Sequence, residues 1–264
     1  MIAGLTELAP APLLGLAATL VAFTLVWLVS VARTDASIVD IFWGPGFVVV
    51  AWLYRDLSTA PPVRGLLVAL LVTLWGGRLA LHILTRNAGH GEDFRYRAMR
   101  EGNPGFTWRS LYLVFWLQAV ILWVVAMPLY VVQRQGGPEL GWIDGLAGAV
   151  FVIGFLFEAV GDLQLRRFKA DPANRGAVMD RGLWRYSRHP NYFGDAVVWW
   201  GLGLFAVAAG GAWAVVGPLV MTVLLLKVSG VSLLEKSLEQ TKPRYRDYVR
   251  RTSAFLPRPP RRLE

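Results

Sequence analysis

Long apolar runs, each bounded by charge, dominate this chain. Leu8 to Ala32 contains no charged residue, and neither does Ser110 to Val132. Ser37 to Tyr54 is shorter and carries Asp40 near its start. Gly65 to Thr85 carries Arg78 and His82, and Gly145 to Leu165 carries Glu158 and Asp162. Roughly 20 mostly apolar residues, rising about 1.5 Å each, cross a hydrocarbon core of about 30 Å. Each of these five runs therefore predicts one transmembrane helix. Ala196 to Leu226 is an uncharged run of 31 residues, too long for one crossing, and Gly210-Gly211 divides it. Two spans fit if the first starts near Asn191 and includes Asp195 and the second passes Lys227 to about Leu234. The pattern thus predicts an all-α, polytopic membrane protein. It would form a single transmembrane domain over 1–264, with spans near 8–32, 37–54, 65–85, 110–132, 145–165, 191–209 and 212–234.

Charge fixes the orientation. Lys and Arg accumulate on the cytoplasmic side of membrane proteins. With seven spans and the N-terminus outside, the inner segments 33–36, 86–109, 166–190 and 235–264 hold 1, 5, 7 and 9 basic residues. The outer segments hold only Arg55, Arg64 and Arg134. A single crossing after Asn191 would put the basic tail outside, so two are expected, with the C-terminus cytoplasmic.

Composition agrees. Apolar residues make up 55% and charged residues 17%, against about 25% charge in soluble domains. The net charge of +9 reads first as topology and contact with anionic lipid, not nucleic acid. The chain has no cysteine, which excludes disulfides, thiolate nucleophiles and cysteine zinc sites. The first residues lack the positive n-region of a cleavable signal. No metal is expected, because His90, Glu92 and Asp93 have no second histidine at ligand spacing. Soluble nucleotide signatures, G-x-G-x-x-G and the P-loop, are also absent.

Charged groups inside spans are costly and usually face the bundle interior, where they mark function. Arg78, His82 and Arg86 fall at i, i+4 and i+8, on one helix face. Glu158, Asp162, Arg166 and Lys169 track another. Both rows run toward the basic loops and predict a polar shaft opening to the cytoplasm, although an ion pair that merely holds the bundle together would explain any single member. In the 166–190 loop, arginines suit phosphate oxygens. They surround Arg185-Tyr186-Ser187-Arg188-His189-Pro190-Asn191-Tyr192, whose aromatic, amide and imidazole groups suit an adenine-ribose-phosphate ligand.

Met179 to Leu204, with Asp162-x3-Arg166-x2-Lys169 upstream, resembles the C-terminal region of steroid 5α-reductases and their bacterial relatives. Leu74 to Arg100 is similar to the bacterial branch, in which a Trp-Gly-x-Arg helix (here Trp75 to Arg78) leads into a Glu-Asp-x-Arg-Tyr loop (Glu92 to Tyr96). Ser37 to Phe47 is typical of that branch too. The resemblance implies a seven-helix enzyme of the bacterial inner membrane. NADPH would enter from the cytoplasm, and hydride would pass to the β-carbon of a conjugated enone in a steroid or lipid that arrives from the bilayer. By position it assigns the cofactor to Asp162, Arg166, Lys169, Tyr186, Asn191 and Asp195. Arg78, His82 and Arg86 match a polar row on the third helix. The loop residues Asp93, Arg95 and Tyr96, with His189 and Glu235, complete the implied set. Reduction builds negative charge on the carbonyl oxygen, and a donor aimed there lowers the barrier. The resemblance casts Asp40, the acid available on the second span, as that donor. Trp75 stands where the family carries a tyrosine partner, a departure that leaves the substrate and the proton donor open.

A rival class shares part of the pattern. Isoprenylcysteine and phospholipid methyltransferases, which use S-adenosylmethionine, carry a similar Arg-His-Pro-x-Tyr-x-Gly, here Arg188 to Gly194, followed by acids, spaced tyrosines and Phe-x-Pro. Glu235, Glu239, Tyr245, Tyr248 and Phe255-Leu256-Pro257 follow in order, with Lys236 where a second adjacent acid is usual. A lipid-binding scaffold without chemistry is a third reading. The N-terminal half favours the reductase.

Overall fold

The computed structural model describes residues 10–59, 62–135, 139–228, 235 and 245–261. It is helical, with no strand among the described residues. Four helices are long and apolar enough to cross a membrane: Ala11–Arg33, Val63–Asn87, Phe106–Val125 and Trp142–Ala170. Less than a third or about a third of each apolar stretch is buried, and Val21, Leu25, Leu81 and Leu156 lie exposed along the helices. Apolar surface on this scale needs a lipid or protein cover. The first helix begins after Pro10, where a missing N–H costs nothing. It ends at Thr34 in the left-handed conformation, φ 52°.

Element bounds depart from the apolar runs in instructive ways. The 37–54 run is built as Ile38–Ile41 and Trp43–Asp56; fourteen residues rise only about 21 Å, short of a hydrocarbon core. The 110–132 run starts earlier, at Phe106, passes through a π-helical segment at Leu111–Trp116, and breaks at Ala126 before Met127–Gln135. Trp142–Ala170 overruns 145–165 at both ends. Arg166, Arg167 and Lys169, expected in a loop, therefore sit in its last turns, where cations complement the helix dipole. The 86–109 segment, also expected as a loop, contains the Phe94–Glu101 helix, N-capped by Asp93 through the Arg95 N–H. Pro190–Ala208 is a helix where the sixth span is expected, but it is not among the four helices long and apolar enough to cross a membrane. Positions 8–9 of the first span, 229–234 of the seventh and 236–244 of the tail lie outside the described residues.

The chain divides into two compact units. The first is Met1–Leu140 with Ala206–Ala214. Phe23, Phe47, Trp75, Phe115, Leu122 and Leu129 form its core. Its second and third apolar segments meet backbone to backbone: a Cβ on Gly44 would lie 2.2 Å from the Gly76 carbonyl oxygen, and one on Gly76 2.6 Å from that of Gly44.

The second unit is Gly141–Phe205 with Val215–Glu264. Trp142–Ala170 and Pro190–Ala208 cross in the same way. A Cβ on Gly194 would meet the Glu158 nitrogen at 2.3 Å, and one on Gly154 the Val198 nitrogen at 2.5 Å. Gly161 and Gly201, each seven residues on from one of these, face Asn191 and Phe151. Small residues on both faces let two helices pack at backbone distance. This crossing is what brings Glu158 and Asp162 to the start of the Pro190–Ala208 helix.

Candidate functional site

Each unit gathers one cluster of polar side chains. In the first, the loop after the Pro62–Asn87 helix folds back on the segment between the first two apolar runs. Glu92 anchors it: its carboxylate accepts from the Ala36 N–H (2.8 Å) and from Arg100 through Nη2 (2.7 Å) and Nε (3.0 Å). Burial pushes the Glu92 carboxyl up, but the Arg100 guanidinium and the Ala36 N–H prevail and hold it below the usual carboxylate range.

With the loop so anchored, Asp40 receives two donors. Arg95 Nη2 reaches Oδ2 at 2.7 Å and the Tyr96 hydroxyl reaches Oδ1 at 2.7 Å. Arg95 also donates through Nε to Asp93 at 2.9 Å. Behind Tyr96, Gln118 Nε2 lies 3.4 Å from the phenol oxygen, and Trp43 Nε1 donates to Gln118 Oε1. Burial first, then the Asp40 charge, pushes the Tyr96 hydroxyl up, so it keeps its proton at neutral pH. Asp40, expected as an isolated acid, is thus bracketed by a cation and a phenol.

Trp75 lies elsewhere, 1% exposed against Phe47 with ring centroids 5.8 Å apart. That is a core position beside the Gly44–Gly76 contact. Arg78 and His82 are half-buried on the Pro62–Asn87 helix, and Arg86 is exposed at its end, donating to Asn87.

In the second unit Asp162 is buried and accepts from Asn191 Nδ2 at 2.9 Å. The other half of that amide, Asn191 Oδ1, is buried with no hydrogen-bond partner among the described residues. Most buried polar atoms are paired, so an orphan acceptor calls for an explanation. Glu158 is buried one turn before Asp162, and Asp195 is half-buried one turn after Asn191. Arg166 and Lys169 project exposed from the end of the helix that carries Asp162. The five residues Asp162, Arg166, Lys169, Asn191 and Asp195 therefore follow one another along two helices in contact.

The remaining expected residues, His189, Glu235 and Tyr186, lie near Arg188 and the last part of the described chain. Arg188 Nε donates to Glu235 at 2.7 Å, and its Nη1 donates to the carbonyls of Val249 (3.0 Å) and Thr252 (2.6 Å). His189 Nε2 lies 3.3 Å from the same Glu235 oxygen, and its ring stacks on Tyr192 at 5.6 Å. Burial pushes the Glu235 carboxyl up, but His189 and Arg188 hold it below its usual range. Tyr186 is exposed, its carbonyl accepting from Arg258 N–H at 2.9 Å.

Sequence reasoning gave no role to Arg100, Gln118 and Trp43 and did not see Glu92 as an anchor; the Ala36–Glu92 and Trp43–Gln118 contacts join residues remote in sequence. It also missed the crossing glycines, whose seven-residue spacing on both helices is legible. No group of three His, Cys, Asp or Glu able to hold a metal occurs among the described residues.

Residues 26–252 match the family described as protein of unknown function (DUF1295). An uncharacterized protein of Schizosaccharomyces pombe is 27% identical over 92% of this chain and 79% of its own length. No solved structure matches.

Proposed function

Because the chain belongs to the DUF1295 family, which is related to the steroid 5α-reductase-like proteins, we propose that it is a membrane-embedded, NADPH-dependent reductase of a conjugated enone in a steroid or other lipid. The observation that carries this reading is the orphan Asn191 Oδ1 beside Asp162. An amide whose donor is fixed on a carboxylate offers its oxygen to an N–H or O–H donor. A nucleotide supplies such donors in its carboxamide, its adenine amino group and its ribose hydroxyls. Asp162, Asn191 and Asp195 would hold those groups, and Arg166 and Lys169, exposed at the end of the same helix, suit phosphate oxygens. Leaving a buried acceptor unmade costs about 1–3 kcal/mol, so a ligand that satisfies it gains that much.

When bound, NADPH supplies a hydride for the β-carbon of the enone. The chain's own residues handle the charge that follows. The Tyr96 hydroxyl, which donates to Asp40 Oδ1 in this structure, would turn from that carboxyl to the carbonyl oxygen and donate there as negative charge develops. Asp40 holds that hydroxyl and Arg95 in place, and Arg95 adds a fixed positive charge. Preorganised donors of this kind are worth about 2.7–4 kcal/mol each where charge develops in the transition state. In this reading Asp40 is a positioning residue and Tyr96 the proton donor. The finer topology belongs to the same proposal: seven crossings of the bacterial inner membrane, with the N-terminus outside and the C-terminus cytoplasmic.

The convergence of Arg188 and His189 on Glu235 favours one second reading, an S-adenosylmethionine-dependent methyltransferase of the isoprenylcysteine or phospholipid type. Thermal shift of the purified protein separates the two. NADPH should stabilise it by about 2.7 kcal/mol at a hundredfold excess over Kd, and NADH should stabilise it less. Equal shifts with NADPH and NADH would overturn the phosphate reading, and a shift with S-adenosylmethionine alone would replace the reductase with the methyltransferase.

A further inference from the structure

The second unit contains a large concavity apart from the Asp162–Asn191 pair. It has a volume of about 1150 Å³, and Arg181, Arg185, Arg251 and Arg261 line it with Asp180 and Asp247. Arg251 Nη2 lies 3.4 Å from Asp180. Arg181, Arg185 and Arg261 form no ion pair among the described residues. Topology explains why cytoplasmic segments are basic. It does not explain why four arginines from three separate stretches face one hollow.

The walls are built. Gly182 opens a tight turn at φ +57°, a conformation that disfavours a side chain, and a Cβ there would also lie 2.6 Å from the Gln164 amide. The turn is tied from behind: the Tyr248 hydroxyl donates to the carbonyl of Trp184, and Arg188 N–H to that of Ser253 at 2.9 Å. The tail is tied as well. Arg258 N–H donates to Tyr186 O and Arg261 N–H to Arg251 O, each at 2.9 Å, and Pro259-Pro260 stiffens the stretch between them. The arginines therefore keep their spacing despite mutual repulsion, which a bound anion would relieve. Guanidinium forks match phosphate oxygens two by two.

We propose that this cavity is a binding site for a multiply charged phosphate group, carried either on an anionic phospholipid headgroup or on a soluble ligand. It is distinct from the nucleotide site proposed above and does not depend on the reductase reading.

The test uses the full chain in phosphatidylcholine nanodiscs. One arm titrates inorganic pyrophosphate. The other compares discs with and without phosphatidylinositol phosphate, reading the retained lipid by native mass spectrometry. The double variant Arg181→Gln/Arg261→Gln is set against Arg246→Gln/Arg250→Gln, which removes equal charge from exposed positions that do not line the cavity. The cavity variant should lose at least about tenfold in affinity, because charge-assisted hydrogen bonds to the anion are removed, and the control pair should change by less than about twofold. Binding in the pyrophosphate arm alone identifies a soluble ligand, and in the lipid arm alone a headgroup. Binding in neither arm, or equal losses in the two double variants, overturns the proposal. NADPH affinity should survive in the cavity variant. A parallel loss would make the cavity part of the nucleotide site and overturn its independence.

Discussion

Gly194→Ala is a one-methyl test of the second unit. The added carbon would sit 2.3 Å from the Glu158 nitrogen and 2.6 Å from the Gly154 carbonyl oxygen. Both are backbone atoms of a helix, so no side chain can swing aside. Non-bonded heavy atoms settle at about 3.5 Å, and the two helices must part by about 1 Å. Overpacking costs about 1–3 kcal/mol, and the better helix propensity of alanine offsets about 0.5–1 kcal/mol of it. The net loss of about 1 kcal/mol lowers Tm by about 2–4 °C for a chain of this size. The same displacement stretches the 2.9 Å contact from Asn191 to Asp162 past the hydrogen-bond limit of about 3.5 Å, so NADPH affinity should fall at least about tenfold. Gly145→Ala is the control, because a Cβ there meets nothing within 4 Å; it should leave Tm level or raise it slightly. Tryptophan-fluorescence melting of both variants, with and without NADPH, reads the difference. Equal melting temperatures for the two would refute the backbone-contact crossing and the account of how the Asp162–Asn191 pair is positioned.

Tyr96→Phe should cut enone-dependent NADPH oxidation by about 10² to 10⁴ with NADPH affinity unchanged, and Asp40→Asn should cut it less; normal turnover in Tyr96→Phe would remove the phenol from the mechanism. Glu92 and Glu235 have folded pKa values held below the ordinary 4.5. Their contribution to stability is complete above that pH and is lost as pH falls through the lowered values, so the acid limb of Tm against pH should flatten in Glu92→Gln, and an unchanged limb would argue against the Arg100 pairing. Glu235→Gln strands the buried Arg188 guanidinium and should cost about 3 kcal/mol, measured by denaturation; a neutral result would show that the Val249 and Thr252 carbonyls suffice. The chain has no cysteine, so Ala173→Cys and Glu139→Cys, both exposed, report topology directly: an impermeant maleimide on intact cells should label only Glu139→Cys, and the reverse pattern would invert the orientation.

The sequence by itself determined the class of the molecule and the existence of its main helices. Apolar runs of spanning length are a one-dimensional signal, because lipid demands that each backbone polar group be satisfied within its own helix. The resemblance also named Asp162, Arg166, Lys169, Asn191 and Asp195, which lie along two helices in contact, and Tyr186, which lies exposed beyond them. Only the tertiary structure decided what each polar group faces. Asp40 reads as an isolated carboxyl in the chain, yet Arg95 and Tyr96, some 55 residues on, close over it, and the Glu92 anchor that brings them there leaves no periodic trace. Trp75 occupies a motif position but is sealed in the core. Arg188 looks like a phosphate ligand, yet its guanidinium is spent on Glu235 and two carbonyls, while Arg181 and Arg185 of the same loop share a cavity with Arg261 of the tail. Spacing along a helix states which residues share a face. Whether that face meets lipid, backbone or another charge depends on contacts between segments remote in sequence, and a single chain read end to end does not carry those distances.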